Sequence, residues 1–276
     1  MPLFPADKRI DRRRAAKQLA RRFLPPILLV IVLLGVFQLS ADAGLIRHYV
    51  LPAPGQVGRS LVEDFPIMSR QAIHTLRIAS LGFLLSAFTG TAFALLMDRF
   101  KLLSDTAYPF IVISQTIPTL VITPVVVLIF GYGDAARLFV VILVCFFPIT
   151  ISLLQGLRSV DVDLLRMMHT MGASRAEVMK HVKFPASLPS FFSGVRISST
   201  YCVMAAVLAE WAGGGEGIGI YMLRMKRSFR YSAMFASILW IVALSLIFYS
   251  MALLAERFAM PWREVPAGKA ERRPIS

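Results

Sequence analysis

The stretch Asp161–Pro189, DVDLLRMMHTMGASRAEVMKHVKFPASLP, lies between two long apolar runs, 138–157 and 190–211. It is too long for a simple turn and reads as helix, break, helix, break. Leu164, Leu165, Met168 and Met171 recur at helical spacing and form one apolar face. Gly172 then permits an abrupt change of direction. Ser174 opens a second helix, and Glu177 three residues on completes a capping-box pattern. That helix is expected to run to about Val182 and to stop before Pro185, with Pro189 following. A short helix that shows apolar and basic residues to solvent is suited to filling a groove on a soluble partner.

Outward from this loop the chain consists of apolar runs at 23–39, 76–97, 108–130, 138–157, 190–211 and 234–255. Runs of about 20 residues, rising roughly 1.5 Å per helical residue, match the hydrocarbon thickness of a bilayer. The 276 residues are 57% hydrophobic and 17% charged, with a mean hydropathy of +0.66. A soluble domain has roughly 45–50% and about 25%, so a soluble enzyme, a secreted disulfide scaffold and a disordered tail are excluded. The expectation is an all-α membrane protein of six transmembrane helices.

The net charge of +14 comes without any nucleic-acid-binding motif, and cytoplasmic loops of membrane proteins collect Lys and Arg. Eight basic residues from Lys8 to Arg22 place the N-terminus in the cytoplasm, and six spans return the C-terminus to the same side. This topology puts 21 basic residues on the cytoplasmic side and 9 outside. Arg224, Lys226, Arg227 and Arg230 stand against the trend. Ala41-Asp42-Ala43 resembles a signal-peptide cleavage site, but the basic region before it is long for one, and an uncleaved first span is expected. The resulting organisation is a basic cytoplasmic N-terminus (1–22), a transmembrane domain (23–260) carrying the loop 158–189, and a cytoplasmic tail (261–276) expected to be disordered. Cys145 and Cys202 lie inside apolar runs without metal spacing and read as small buried hydrophobes.

The third run holds Pro109, Pro118 and Pro124 among Ser114, Gln115, Thr116, Thr119 and Thr123. Prolines free backbone carbonyls that protein or cavity water must satisfy inside a membrane. Two readings stay open: a bending helix that lines a solute path through Thr116, Pro118 and Thr123, or a kinked packing helix with satisfied hydroxyls. Ser198, Ser199, Thr200, Tyr201 and Glu210 pose the same choice in the fifth run, between solute contact and helix–helix hydrogen bonding. Gly213–Gly219 lacks the lysine and helix of a phosphate loop, and no G-x-x-x-x-G-K-[ST] occurs in the chain. His48, His74, His169 and His181 share no ligand spacing, and no catalytic constellation or metal set stands out.

The loop is similar to the signature of binding-protein-dependent ABC importer permeases: a Glu-Ala-Ala triplet, a glycine three residues later, then two aliphatic positions and a proline. Gly172 takes the glycine place, and Val182, Phe184 and Pro185 take the last ones. The triplet falls on Arg166-Met167-Met168, which keeps neither the acid nor the alanines. Leu51-Pro52-Ala53-Pro54, Gln115-Thr116-Ile117-Pro118, Phe130-Gly131-Tyr132-Gly133, Gly156–Asp161 and Ala209-Glu210-Trp211 also resemble the nitrate, sulfonate and taurine branch, which includes importers of thiamine precursors. Gly219–Arg224 with Lys226 and Ser228 leans toward the hydroxymethylpyrimidine-type members.

The resemblance implies the type I importer permease fold and no enzymatic activity in the chain itself. It implies an inner-membrane protein that pairs with a second copy of itself, with a dimer of ATP-binding subunits holding ATP and Mg, and with a periplasmic solute-binding protein. Leu165, Met168, Met171, Gly172, Ala173, Ser174, Arg175 and Pro185 would couple to the ATPase; Thr116, Pro118, Thr123, Ser199, Thr200 and Glu210 would face the path. The solute would be a pyrimidine thiamine precursor or, alternatively, a sulfonate, taurine or nitrate. A self-contained secondary transporter is the rival reading; it calls for paired charges in mid-membrane, which the sequence lacks.

Overall fold

The computed structural model describes residues 24–25, 28–44 and 51–262. The basic segment 1–22 and nearly all of the tail 261–276 lie outside the described residues. Every regular element among those described is helical. In chain order they are α1 (Leu28–Asp42), α2 (Pro54–Glu63), α3 (Phe65–Arg99), α4 (Lys101–Ser114), α5 (Thr119–Phe130) and α6 (Asp134–Arg158). These are followed by α7 (Val162–Thr170), α8 (Arg175–Val178), a π-helical turn (Met179–Lys183), α9 (Phe184–Gly213), α10 (Ile218–Arg227) and α11 (Tyr231–Ala259).

Four of the helical segments are long and apolar enough to cross a membrane unbroken: α3, α6, α8 through α9, and α11. The third apolar run forms a bent pair, α4 and α5, which meet at 107°. Pro118 explains the break. It has no N–H to donate and disfavours helical backbone at Ile117, so α4 ends before it and α5 restarts with Pro118 as its N-cap. The described part of the first run, α1, is a shorter apolar helix.

One expectation fails. The second helix of the loop does not stop before Pro185. It passes through the π-helical turn into α9, giving a continuous helical segment of 39 residues, Arg175–Gly213. Proline is tolerated in the first turn of a helix, where its missing N–H has no ladder partner to lose. Pro185 occupies that position in α9, directly after the wider π-helical turn.

The chain divides into two compact units, 1–65 with 225–236, and 66–224 with 237–276. In the first, Gln38 on α1 accepts from the Gly55 N–H of α2 at 2.9 Å. Ser60 of α2 donates to Ser232 at 2.8 Å, and Arg230 pairs with the buried Asp64 at 2.9 Å.

The second unit is built on small residues. Ala72, Thr75, Ala79, Gly82, Ser86, Gly90 and Ala94 are buried at helical spacing along α3. Small side chains let apolar helices approach closely enough for backbone contact, the main attraction available where lipid competes for apolar surface. A Cβ at Gly82 would lie 2.5 Å from Val141 of α6; one at Gly194 of α9 would lie 2.6 Å from the Pro148 carbonyl oxygen. Ala72, Ile78 and Ala79 pack with Val141, Cys145, Cys202, Val203 and Phe248, joining α3, α6, α9 and α11. Both cysteines are free and fully buried in this core.

Candidate functional site

The loop after α6 is shaped by its own caps. Asp161 caps α7 by accepting the Asp163 N–H at 2.7 Å. At the other end the Ala173 N–H donates to Met168 O and the Gly172 N–H to His169 O, both at 3.0 Å, the bond pair of a Schellman ending. That ending needs a left-handed residue, and Gly172 supplies it with φ +84°. Ser174 and Glu177 then form the full capping box at the start of α8. The Ser174 backbone N–H donates to the Glu177 carboxylate at 2.7 Å and, with the Ser174 hydroxyl, holds that carboxyl below its ordinary value.

α7 buries none of its residues, so its order is local and its apolar side chains remain accessible to a partner. Met168, Met171, Gly172 and Ala173, with Glu177 and His181, line one cleft of about 310 Å³. Leu165 and Arg175 line a second cavity of about 580 Å³, together with Asp98, Arg99, His169 and Lys183. Met171 is the most protruding of these apolar groups, at 75% exposed. Pro185 stands apart, half-buried in the first turn of α9. Lys183 closes the π-helical turn and reaches both carboxylate oxygens of Asp98 on α3, at 2.5 and 2.6 Å.

The six residues expected on a path divide into two groups. Thr116, Pro118 and Thr200 are exposed, with the two hydroxyls donating to the Ile113 and Arg196 carbonyls. Thr123, Ser199 and Glu210 are buried. Thr123 and Ser199 bond within their own helices, to Thr119 O and Arg196 O. The structure therefore does not bring the six together around one described cavity.

Glu210 belongs to a polar knot at the end of α9 that the sequence reading missed. Its Oε1 accepts from Thr75 Oγ1 at 2.6 Å and its Oε2 from the Gly219 N–H at 2.8 Å. Thr75 Oγ1 also accepts the Ile218 N–H at 2.9 Å, and Gln71 accepts the Gly217 N–H at 2.7 Å. Arg137, itself buried, donates to the carbonyls of Gly214 and Glu216. His74 pairs with Glu216 at 2.6 Å. The glycine run 213–219 is thus wrapped around a carboxylate on one side and a guanidinium on the other. Gly215 and Gly217 have positive φ, and a Cβ at Gly217 would also collide with the Glu210 carboxylate and one at Gly215 with Arg137. Its signals in the sequence are the glycine run itself and two lone charges, Arg137 and Glu210, at the ends of apolar runs.

Residues 82–259 match the family described as "Binding-protein-dependent transport system inner membrane component". The chain is 35% identical, over 86% of its length and 97% of the relative's, to an ABC transporter permease protein of Haemophilus influenzae. It is 33% identical, over 87% and 96%, to the formylaminopyrimidine transport permease protein ThiX of Halalkalibacterium halodurans. Identity is 27%, over 86% and 87%, to an aliphatic sulfonates transport permease protein, SsuC, of Bacillus subtilis. Among solved structures, a chain in the crystal structure of an amino acid ABC transporter with histidines superposes with a TM-score of 0.58 at 19% identity, covering 72% of this chain and 97% of that one.

Proposed function

The chain belongs to the family of binding-protein-dependent transport system inner membrane components, and from that membership we propose how this ABC importer permease works. It forms the membrane pathway for a small organic solute, while a separate dimer of ATP-binding subunits, holding ATP and Mg, supplies the energy. A second copy of the chain completes the pathway, and a periplasmic binding protein delivers solute to its outer mouth. Both termini and the loop 158–189 face the cytoplasm of the inner membrane.

The observation that carries this reading is the unit α7–Gly172–α8. It is ordered by its own caps, buries no residue of α7, and exposes Met171 beside the cleft formed by Met168, Gly172 and Ala173. A rigid element with a bare apolar face is what a groove on a soluble subunit needs. Leu165, Met168, Met171, Gly172, Ala173, Ser174 and Arg175 form the contact in this proposal, with Pro185 fixing the joint to α9. Thr116 and Thr200 are the exposed hydroxyls available to solute.

For the solute, the ThiX likeness and the run Gly219–Arg224 favour a pyrimidine precursor of thiamine; the SsuC likeness supports a sulfonate as the alternative. The test is to co-express the tagged chain with its neighbouring genes, purify the assembly, and measure ATP-dependent uptake into proteoliposomes. Radiolabelled formylaminopyrimidine and an alkanesulfonate serve as probes. Uptake of the pyrimidine alone supports the first choice, and uptake of the sulfonate alone replaces it. A chain that purifies without an ATPase and moves solute without ATP overturns the reading in favour of a secondary transporter.

A further inference from the structure

α7 and α8 hang between two anchored points. At the first, Arg158 at the end of α6 donates to Ser104 of α4. At the second, the π-helical turn Met179–Lys183 carries the chain into α9, and its last residue, Lys183, pairs with Asp98 in the final turn of α3. The pair spans 85 residues of sequence, and its side chains are only 19% and 8% exposed. Beside it Met179 packs against the buried cluster that includes Ala94, Met97 and Leu153. Between α7 and this pair lies the cavity of about 580 Å³, bounded by Leu165, His169 and Arg175 on the loop side. The loop therefore borders open volume beside α3, and the Asp98–Lys183 pair, in the lining of the same cavity, ties it to that helix.

We propose that the Asp98–Lys183 ion pair is the tie through which displacement of the α7–α8 unit is delivered to α3. Three physical features argue for it. A π-helical turn inside a continuous helix recurs at functional positions, because its looser ladder lets the flanking helices change angle. An ion pair this far removed from water gains little net stability over an apolar pair, yet leaves an uncompensated charge when one partner goes. It is thus poorly explained as a mere stabiliser and well suited to keeping one register between two moving helices. Lastly, α3 carries the small-residue seam that packs on α6 and α9, so a pull at Asp98 moves the helix that contacts the others. Both residues are positioning residues, outside the face offered to the ATPase. The inference rests on the proposed coupling role of the loop.

The test uses the purified assembly with an environment-sensitive dye on Lys101→Cys, an exposed position two residues past α3; Cys145 and Cys202 are buried and stay unlabelled. ATP with vanadate should change the dye signal in the parent. In Lys183→Met and Asp98→Asn the change should fall roughly five-fold, while ATP hydrolysis stays within about two-fold. The exchange Asp98→Lys with Lys183→Asp should restore it. A full dye response in either single variant overturns the proposal. So does a parallel loss of hydrolysis and response, or a loss of assembly in both single variants that the exchange does not mend. Failure of the coupling role itself looks different: no ATPase accompanies the parent chain.

Discussion

Thr75 on α3 and Glu210 on α9 meet with 2.6 Å between hydroxyl and carboxylate, and the same hydroxyl receives the Ile218 N–H at 2.9 Å. One side chain thus joins two spanning helices to the start of α10. Thr75→Val keeps the shape, removes both bonds and leaves the Glu210 carboxylate and the Ile218 amide each short of a partner. Hydrogen bonds to charged groups contribute about 1.5–3 kcal/mol, and leaving a buried amide without a partner costs about 1–3 kcal/mol. The variant should unfold at a clearly lower temperature in detergent, followed by circular dichroism, while Thr75→Ser stays near the parent. An unchanged midpoint for valine would mean that the knot does not hold α9 to α3.

Two glycines with positive φ should answer differently to alanine. Gly172, at φ +84°, has open space where a Cβ would go, so Gly172→Ala meets only left-handed backbone strain of roughly 1–2 kcal/mol. Gly217, at φ +142°, meets the Glu210 carboxylate as well. Gly217→Ala should therefore fail to accumulate in the membrane, while Gly172→Ala accumulates near the parent level and shows its defect in ATPase association. Equal accumulation of the two would show that the glycine run can move off Glu210.

What was legible in the sequence follows from periodicity and from local chemistry. The apolar runs mark the spans because hydrocarbon thickness sets their length, and Ser174 with Glu177 marks a cap because both partners lie within one turn. The bend at Pro118 was visible as a proline, but not as a 107° angle, since that depends on what packs around α4 and α5. Pro185 misled for a related reason: its effect depends on the π-helical turn before it, which leaves no mark in residue spacing. The Thr75–Glu210 bond and the Asp98–Lys183 pair were illegible because their members are 135 and 85 residues apart in sequence.

The capping box gives the loop a pH dependence with a definite sign. Ser174 lowers the Glu177 pKa from its ordinary 4.5, so the folded cap favours the ionised carboxylate. A depressed carboxyl contributes stability that is fully present above the unfolded value and is lost as pH falls through the folded value. Protection of the Glu177 and Val178 amides against hydrogen exchange should accordingly persist at neutral pH and fade in acid below 4.5. Glu177→Gln, which has no carboxyl to titrate, should remove that dependence, whereas Ser174→Ala, which keeps the backbone N–H donor, should retain part of it. Acid-independent protection in the parent would show that the loop is ordered by something other than this cap.

The exposed hydroxyls beside the broken span can be tested for contact with water. Thr116 stands at the break between α4 and α5, and Thr200 on the exposed side of α9, whereas Thr123 is 1% exposed. Cys145 and Cys202 are both 0% exposed, so the parent provides a silent background for thiol labelling. A water-lined path predicts that Thr116→Cys and Thr200→Cys react with a membrane-impermeant maleimide in the assembled importer, that Thr123→Cys does not, and that transported solute slows the first two. Helix packing predicts no reaction at any of the three. A hydroxyl bonded to its own helix and covered by lipid or by a second copy reaches no aqueous reagent, whatever its exposure in a single chain. Silence at both threonines would therefore take α4, α5 and the Thr200 face out of the solute path and make them packing surfaces, whereas reaction at Thr116 alone would confine the path to the break at Pro118.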